Sequence, residues 1–213
     1  MQSKILLALF SAIFIVSGCS ATSLQVGGEI QQGRRALLRG DPKAALPYFQ
    51  SAAERDPNYL INFAPLTEGV WTYNGRAYYE MNQFGEARKS FERALSRTEE
   101  DYFARLYLGM VLGREGDRQR GHKEVDTALK GFHSSLDYIV ENNPDGNFWD
   151  STGELRSAIR KQLASLSVAE PNWPEVIASG EWLGQQLEEE IDLSRMIKQR
   201  KSTRDSESAR DND

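Results

Sequence analysis

The chain has 213 residues and a formal net charge of −5, from 26 Lys and Arg against 31 Asp and Glu. Charges of both signs are interspersed without a basic block, which disfavours a nucleic-acid partner because such a partner requires a basic face. With a single cysteine the chain forms no internal disulfide, so burial alone must stabilise the fold.

The N-terminal segment predicts export. An uncharged run at 5–16 follows Lys4, and its twelve residues fit a signal-peptide core better than a membrane helix, which needs about 20 apolar residues. The run ends in VSGC at 16–19, which resembles a bacterial lipobox. That resemblance implies a signal peptide at 1–18 and a covalent lipid on Cys19. The alternative is an incidental cysteine behind a cleaved signal or an uncleaved anchor.

The residue after the cysteine bears on the membrane to which the protein is sorted. Lipoproteins retained in the inner membrane often carry Asp there, whereas this chain carries Ser20. The resemblance therefore favours the outer membrane, facing the periplasm. Residues 19–28 are interpreted as a lipidated linker that gives the folded part reach.

A pattern of small and large residues recurs three times after the linker. The second and third copies are 34 residues apart, and the first lies 42 residues before the second, which leaves eight extra residues for a longer connection around 58–65. The three copies are Gly33, Ala36, Ala45, Phe49 and Ala52; Gly75, Tyr78, Ala87, Phe91 and Ala94; and Gly109, Leu112, Gly121, Val125 and Ala128.

Together with Trp71, the second copy resembles the tetratricopeptide repeat, whose pattern is W-x2-L-G-x2-Y followed by alanine and phenylalanine positions. Asn74 replaces the usual Leu. The resemblance implies an all-α solenoid of three helix pairs, at about 29–57, 68–98 and 102–134. One such pair cannot bury its own apolar face, so about three must stack.

The C-terminal third continues with helical patterns that lack the repeat. Apolar residues at helical spacing predict a helical extension at 135–197 that covers the last repeat. Residues 198–213 have no apolar periodicity and are predicted to be a disordered tail.

Residues suited to catalysis or metal binding are few. His122 and His133 are eleven residues apart, about 16 Å on one helix, so they could not share an ion. No thiol remains after lipidation, and no glycine-rich phosphate loop follows a predicted strand. We therefore expect no enzyme, no metal and no cofactor besides the lipid.

The tetratricopeptide resemblance implies a peptide-binding groove on the first helix of each pair. In such a groove, arginines beside aromatic rings would pair with acidic groups of a peptide. The alternative is that the C-terminal helices pack on Leu106, Tyr107 and Met110 and fill the groove. The candidate groove residues are Thr72, Arg76, Tyr79, Glu80, Leu106, Tyr107, Met110 and Arg114.

The expected function is that of a lipid-anchored adaptor that binds and positions another protein of the cell envelope. One alternative is an assembly factor for a secretin, pilus or transport complex. A second is a small-ligand-binding accessory protein with a pocket between the repeats and the extension. Its pocket would be lined by Trp71, Trp149, Trp173 or Trp182.

Overall fold

Eight helices and one short hairpin make up the part of the chain that the computed structural model describes, residues 17–63, 65–142, 148–168 and 170–210. The predicted signal peptide at 1–18 falls almost wholly outside these residues, and so does the side chain of Cys19. The elements are α1 (Ser17–Leu38), α2 (Pro42–Arg55), β1 (Leu60–Phe63), β2 (Leu66–Gly69), α3 (Val70–Glu80), α4 (Phe84–Leu95), α5 (Tyr102–Glu115), α6 (Arg118–Asn142), α7 (Glu154–Leu166) and α8 (Trp173–Arg210).

The three predicted repeats are helix pairs α1–α2, α3–α4 and α5–α6, and one contact recurs in each. A glycine of the first helix receives a large side chain of the second, so that the two backbones approach closely. The expected all-α solenoid is thus confirmed. A Cβ atom on the glycine would lie 2.4 Å from Phe49 at Gly33, 2.4 Å from Phe91 at Gly75 and 2.6 Å from Val125 at Gly109.

The turn between the first two helices shows how local sequence ends one helix and starts the next. Gly40 has a φ of +73°, a conformation that glycine adopts without strain. The Asp41 carboxylate then accepts a hydrogen bond of 3.0 Å from the Ala44 amide, and Pro42 occupies the first helical position.

The extra residues between the first two repeats form a hairpin rather than an irregular connection. Strand β1 pairs antiparallel with β2, with Leu60 opposite Gly69 and Phe63 opposite Leu66. The hairpin leads directly into α3 and places Glu68 in the interior, where it is fully buried.

One buried carboxylate joins the hairpin to the second and third repeats. Asp101 caps α5 by accepting from the Ala104 amide at 2.9 Å, and it also accepts from the Gly69 amide at 2.9 Å and from the Thr72 hydroxyl. Burial raises the pKa of Asp101 to about 6, although these donors act in the opposite direction.

Both chain ends of the described region differ from the sequence-based expectation. Helix α1 begins at Ser17, so residues 19–28 are helical, and Val26 within them is fully buried. Helix α8 continues to Arg210 through most of the predicted disordered tail, although residues 198–204 are all exposed. Extending an existing helix costs far less than nucleating one, which explains both continuations.

Helices α7 and α8 cover the end of the solenoid. Trp173 packs so tightly against α5 that a Cβ atom on Gly113 would lie 2.1 Å from its ring. Leu183, Leu187 and Ile191 are buried along α8. Within the described ranges, no helix combines the length and apolar character that crossing a membrane requires.

Candidate protein-binding surface

The first helices of the three pairs, α1, α3 and α5, line the concave side of the solenoid, and α8 lies along it. Gly180 and Gly184 of α8 face α5. A Cβ atom would lie 2.6 Å from the Met110 sulfur at Gly180, and 2.7 Å from the Tyr107 hydroxyl at Gly184. Glycine at both positions therefore allows α8 to lie directly on the predicted groove.

The predicted groove residues consequently divide into two groups. Glu80 and Arg114 are exposed. The other six are buried. Five of them contact α8 and fit the alternative in which the chain's own C-terminal helices fill the groove, whereas Thr72 is buried against Asp101 and the hairpin. The six buried residues are Thr72, Arg76, Tyr79, Leu106, Tyr107 and Met110.

Glu188, four residues beyond Gly184, carries the polar part of the contact. Its carboxylate accepts from Arg34 of α1, with the Arg34 Nε at 3.0 Å, and from Arg76 of α3 on its other oxygen. Arg76 also donates to Glu68 at 3.1 Å, and Arg34 to Asp192 at 2.8 Å. Two arginines from successive repeats thus hold one carboxylate of α8.

The charged groups in this network strongly shift one another's pKa values. Burial alone would raise the pKa of Glu188, but Arg76 and Arg34 outweigh it and lower that pKa to about 2. Burial, with repulsion from Glu188, raises the pKa of Glu68 well above its usual range, and Tyr73 donates to Glu68 at 2.5 Å. Glu188 is therefore ionised at neutral pH and held by charge-assisted hydrogen bonds.

Repeat register explains which residues α8 covers. Each repeat contributes one residue to each of two rows, counted from its glycine at Gly33, Gly75 or Gly109. The residue one position after the glycine lies under α8, and the residue five positions after it is exposed. Sequence reasoning missed Arg34 and Leu38, although the same offsets that selected Arg76, Glu80 and Arg114 would have found them. The covered row is Arg34, Arg76 and Met110, and the exposed row is Leu38, Glu80 and Arg114.

The exposed row lines what we call the open cleft, the part of the concave surface beside α8. The cleft has a volume of about 540 Å³. At its α8 edge, Arg114 donates to Glu181 at 2.8 Å, and the Tyr79 hydroxyl donates to the same carboxylate at 2.6 Å. Its apolar wall and its charged groups are contributed by Leu37, Leu38, Pro42, Arg76, Tyr107, Glu80, Arg114 and Glu181.

The four tryptophans suggested for a small-ligand pocket do not share a cavity. Trp71 lies under the Arg93 guanidinium, 3.6 Å from the ring centroid. Trp149 is buried, and Trp182 is 37% exposed. Trp173 packs on α5 as described above, and it also lines a pocket of about 370 Å³ with His122 of α6 and Pro171, where the repeats meet the C-terminal helices.

The two histidines make separate local contacts. His122 Nε2 lies 2.9 Å from the Leu166 carbonyl oxygen and so links α6 to α7. His133 Nδ1 lies 2.9 Å from Asp137 one turn later. Among the described residues, no group of three His, Cys, Asp or Glu side chains is arranged to hold a metal ion.

This architecture defines a helical-repeat solenoid whose concave surface is partly covered by its own last helix. Residues 69–101, the α3–α4 pair with its flanking turns, match the family described as Tetratricopeptide repeat. No curated protein matches the chain. Tetratricopeptide repeats generally mediate protein–protein interaction, and the match supports a role as a protein-binding adaptor.

Proposed function

We propose that the protein is a lipid-anchored adaptor of the bacterial cell envelope that binds another envelope protein through the open cleft. The observation that carries the proposal is the exposed row. Leu38, Glu80 and Arg114 occupy the same position in three successive repeats, and all three line one cleft. A repeat protein offers a partner such a row because stacking brings equivalent positions side by side.

The proposed lipid anchor is supported by the resemblance of residues 16–19 to a lipobox, and Ser20 after the cysteine favours the outer membrane, facing the periplasm. The helical start of α1 changes how the anchor works. The fully buried Val26 lies only seven positions after Cys19, which corresponds to about 10 Å of helix. The lipid would therefore hold the folded body close to the bilayer, and the partner would be met near the membrane. A subunit of a secretin, pilus or transport complex would be one such partner.

The anchor is tested by Cys19→Ser. The variant should lose its lipid and move from the membrane fraction to the soluble periplasmic fraction, and mass spectrometry of the wild-type N-terminal peptide should show an acylated cysteine. A variant that stayed membrane-bound with unchanged processing would contradict the lipoprotein proposal.

The binding surface is tested by pull-down from solubilised envelopes with Leu38→Asp/Arg114→Glu. Both residues are exposed, so the variant should fold, whereas substitutions at the buried Arg76 or Tyr107 would disturb the interior. The matched control is Leu193→Asp/Arg160→Glu, which makes the same changes at exposed positions outside the cleft. Partners retained by the control and lost from the cleft variant support the proposal; identical partners for both would refute it.

A further inference from the structure

The charged groups of the open cleft are not equivalent, because most of them are already paired. Arg76 is bonded to Glu68 and Glu188, and Arg114 to Glu181. Each arginine that the sequence suggested for an acidic ligand therefore already holds a carboxylate of this chain. The Nε of Arg76 is buried and has no hydrogen-bond partner among the described residues. An acidic partner that bonded to the other donors of Arg76 or Arg114 would have to displace one of these pairs.

Glu80 is the exception. Among the described residues its carboxylate accepts no hydrogen bond and forms no ion pair, and the cleft walls desolvate it enough to raise its pKa. It is also the last residue of α3. A carboxylate at a helix C-terminus is unfavourable because the helix dipole is negative there. Neither a local pair nor the helix thus accounts for an acidic residue at this position.

The surroundings of Glu80 indicate the kind of group that would pair with it. Glu181, the other carboxylate that lines the cleft, is paired with Arg114. Arg76 attracts Glu80 and acts against the rise of its pKa, but Arg76 donates to Glu68 and Glu188 instead, so Glu80 is the carboxylate of the cleft without a bonded cation among the described residues. Leu37, Leu38 and Pro42 form the apolar wall of the cleft. A cation on a flexible stem beside an apolar side chain complements this arrangement.

We propose that the open cleft binds a lysine or arginine side chain of the protein partner at Glu80, with a neighbouring apolar side chain of the partner packed on Leu38 and Pro42. The inference rests on the proposed function in that the ligand belongs to a protein. The sequence alone suggested a preference for acidic groups of a partner, and the inference predicts a preference for basic groups. The reason is that Arg76 and Arg114 already bind carboxylates of α8, whereas Glu80 has no bonded cation in the described part of the chain.

The experiment uses the mature chain carrying Cys19→Ser and four blocked heptapeptides, Ser-Gly-Leu-X-Leu-Gly-Ser, with X as Lys, Arg, norleucine or Glu. Affinities are measured by titration with NMR detection of backbone amides. The Lys and Arg peptides should bind at least about tenfold more tightly than the norleucine peptide, and the Glu peptide should bind most weakly. The shifted amides should be those around Glu80 and Leu38.

Two charge variants and one control make the test specific. Glu80→Gln should abolish the preference for Lys and Arg, and Glu80→Lys should invert it in favour of the Glu peptide. Glu99→Gln, at an exposed glutamate outside the cleft, should leave the preference unchanged. Binding that does not discriminate between the peptides, discrimination that survives Glu80→Gln, or no binding by any peptide would overturn the inference.

The peptide titration and the envelope pull-down fail independently. If Leu38→Asp/Arg114→Glu lost its partners while the peptides showed no charge preference, the adaptor would stand and the cation site would be wrong. If the peptides discriminated as expected and the pull-down variant kept all its partners, the site would be real but would not be the adaptor surface.

Discussion

Glu188 connects α8 to the first two repeats, and Glu188→Ala tests whether this contact stabilises the fold. The variant removes the carboxylate that both Arg34 and Arg76 bind, at a site where all three side chains are at most 4% exposed. Removing one member of a buried ion pair typically costs about 3–5 kcal/mol, because the partner charge stays buried without compensation. Arg34 retains Asp192 and Arg76 retains Glu68. We therefore expect a loss at the lower end, about 3 kcal/mol.

The free energy of unfolding is measured by urea titration at pH 7, followed by circular dichroism at 222 nm, in the Cys19→Ser background. Glu189→Ala is the matched control, because Glu189 is the exposed neighbour on the same helix and its loss should change the free energy by no more than about 0.5 kcal/mol. A Glu188→Ala effect below about 1 kcal/mol, or one equal to the control, would show that α8 is not held by this network.

A double-substitution cycle separates the charge contact from the loss of packing. Arg76→Met and Glu188→Leu each leave a charge of the network without one of its partners, whereas the double variant removes the pair and retains apolar volume. Apolar replacement of a buried pair is often close to neutral, so the double variant should cost about 1–3 kcal/mol less than the sum of the single variants. Additive effects would contradict a direct coupling between the two side chains.

Four smaller predictions follow from the same contacts. The pKa of Glu188 is lowered from 4.5 to about 2, so its contribution to the free energy of unfolding is complete above about pH 4.5 and is lost toward pH 2. The difference in unfolding free energy between wild type and Glu188→Gln, measured by urea titration, should therefore shrink across that interval. Gly28→Ala should raise the unfolding free energy by about 0.5–1 kcal/mol, because Gly28 lies in α1 with open space around it; no change would favour a flexible linker. Gly113→Ala should lower the free energy of unfolding by about 1–2 kcal/mol, because the Trp173 ring occupies the space for a Cβ. Truncation after Ile197 should change the unfolding free energy by less than about 0.5 kcal/mol, because the next residues are exposed.

The repeats could be predicted because their packing rule is local and periodic. Gly75 must admit Phe91, and the same steric requirement recurs one repeat later at Gly109 and Val125. A spacing set by the length of a helix pair is visible in the sequence whatever surrounds it. The interrupted spacing before the second repeat likewise marked where extra residues must lie, but four-residue strands are too short to show a period that distinguishes them from a loop.

The occupant of the groove could not be predicted with the same certainty. Gly180, Gly184 and Glu188 recur every four residues, which places them on one face of α8, but periodicity does not say which surface that face meets. Glu188 also lies in an acidic run that resembles a solvated helix face. Its burial depends on Arg34 and Arg76, which are more than a hundred residues away in the sequence. Pairing at such a distance is a property of the tertiary structure.

The two rows of the concave surface have different roles because the covered row is bound by α8, which is covalently part of the same chain. Glu188 reaches Arg34 and Arg76 intramolecularly, and a tethered group competes at an effective concentration on the order of millimolar or more. A partner presenting a carboxylate to these arginines would have to exceed that advantage and also uncover buried Leu187 and Ile191. A partner presenting a cation to Glu80 displaces nothing. The row that α8 leaves uncovered is therefore the one on which a partner gains most by binding, and its free charge is negative.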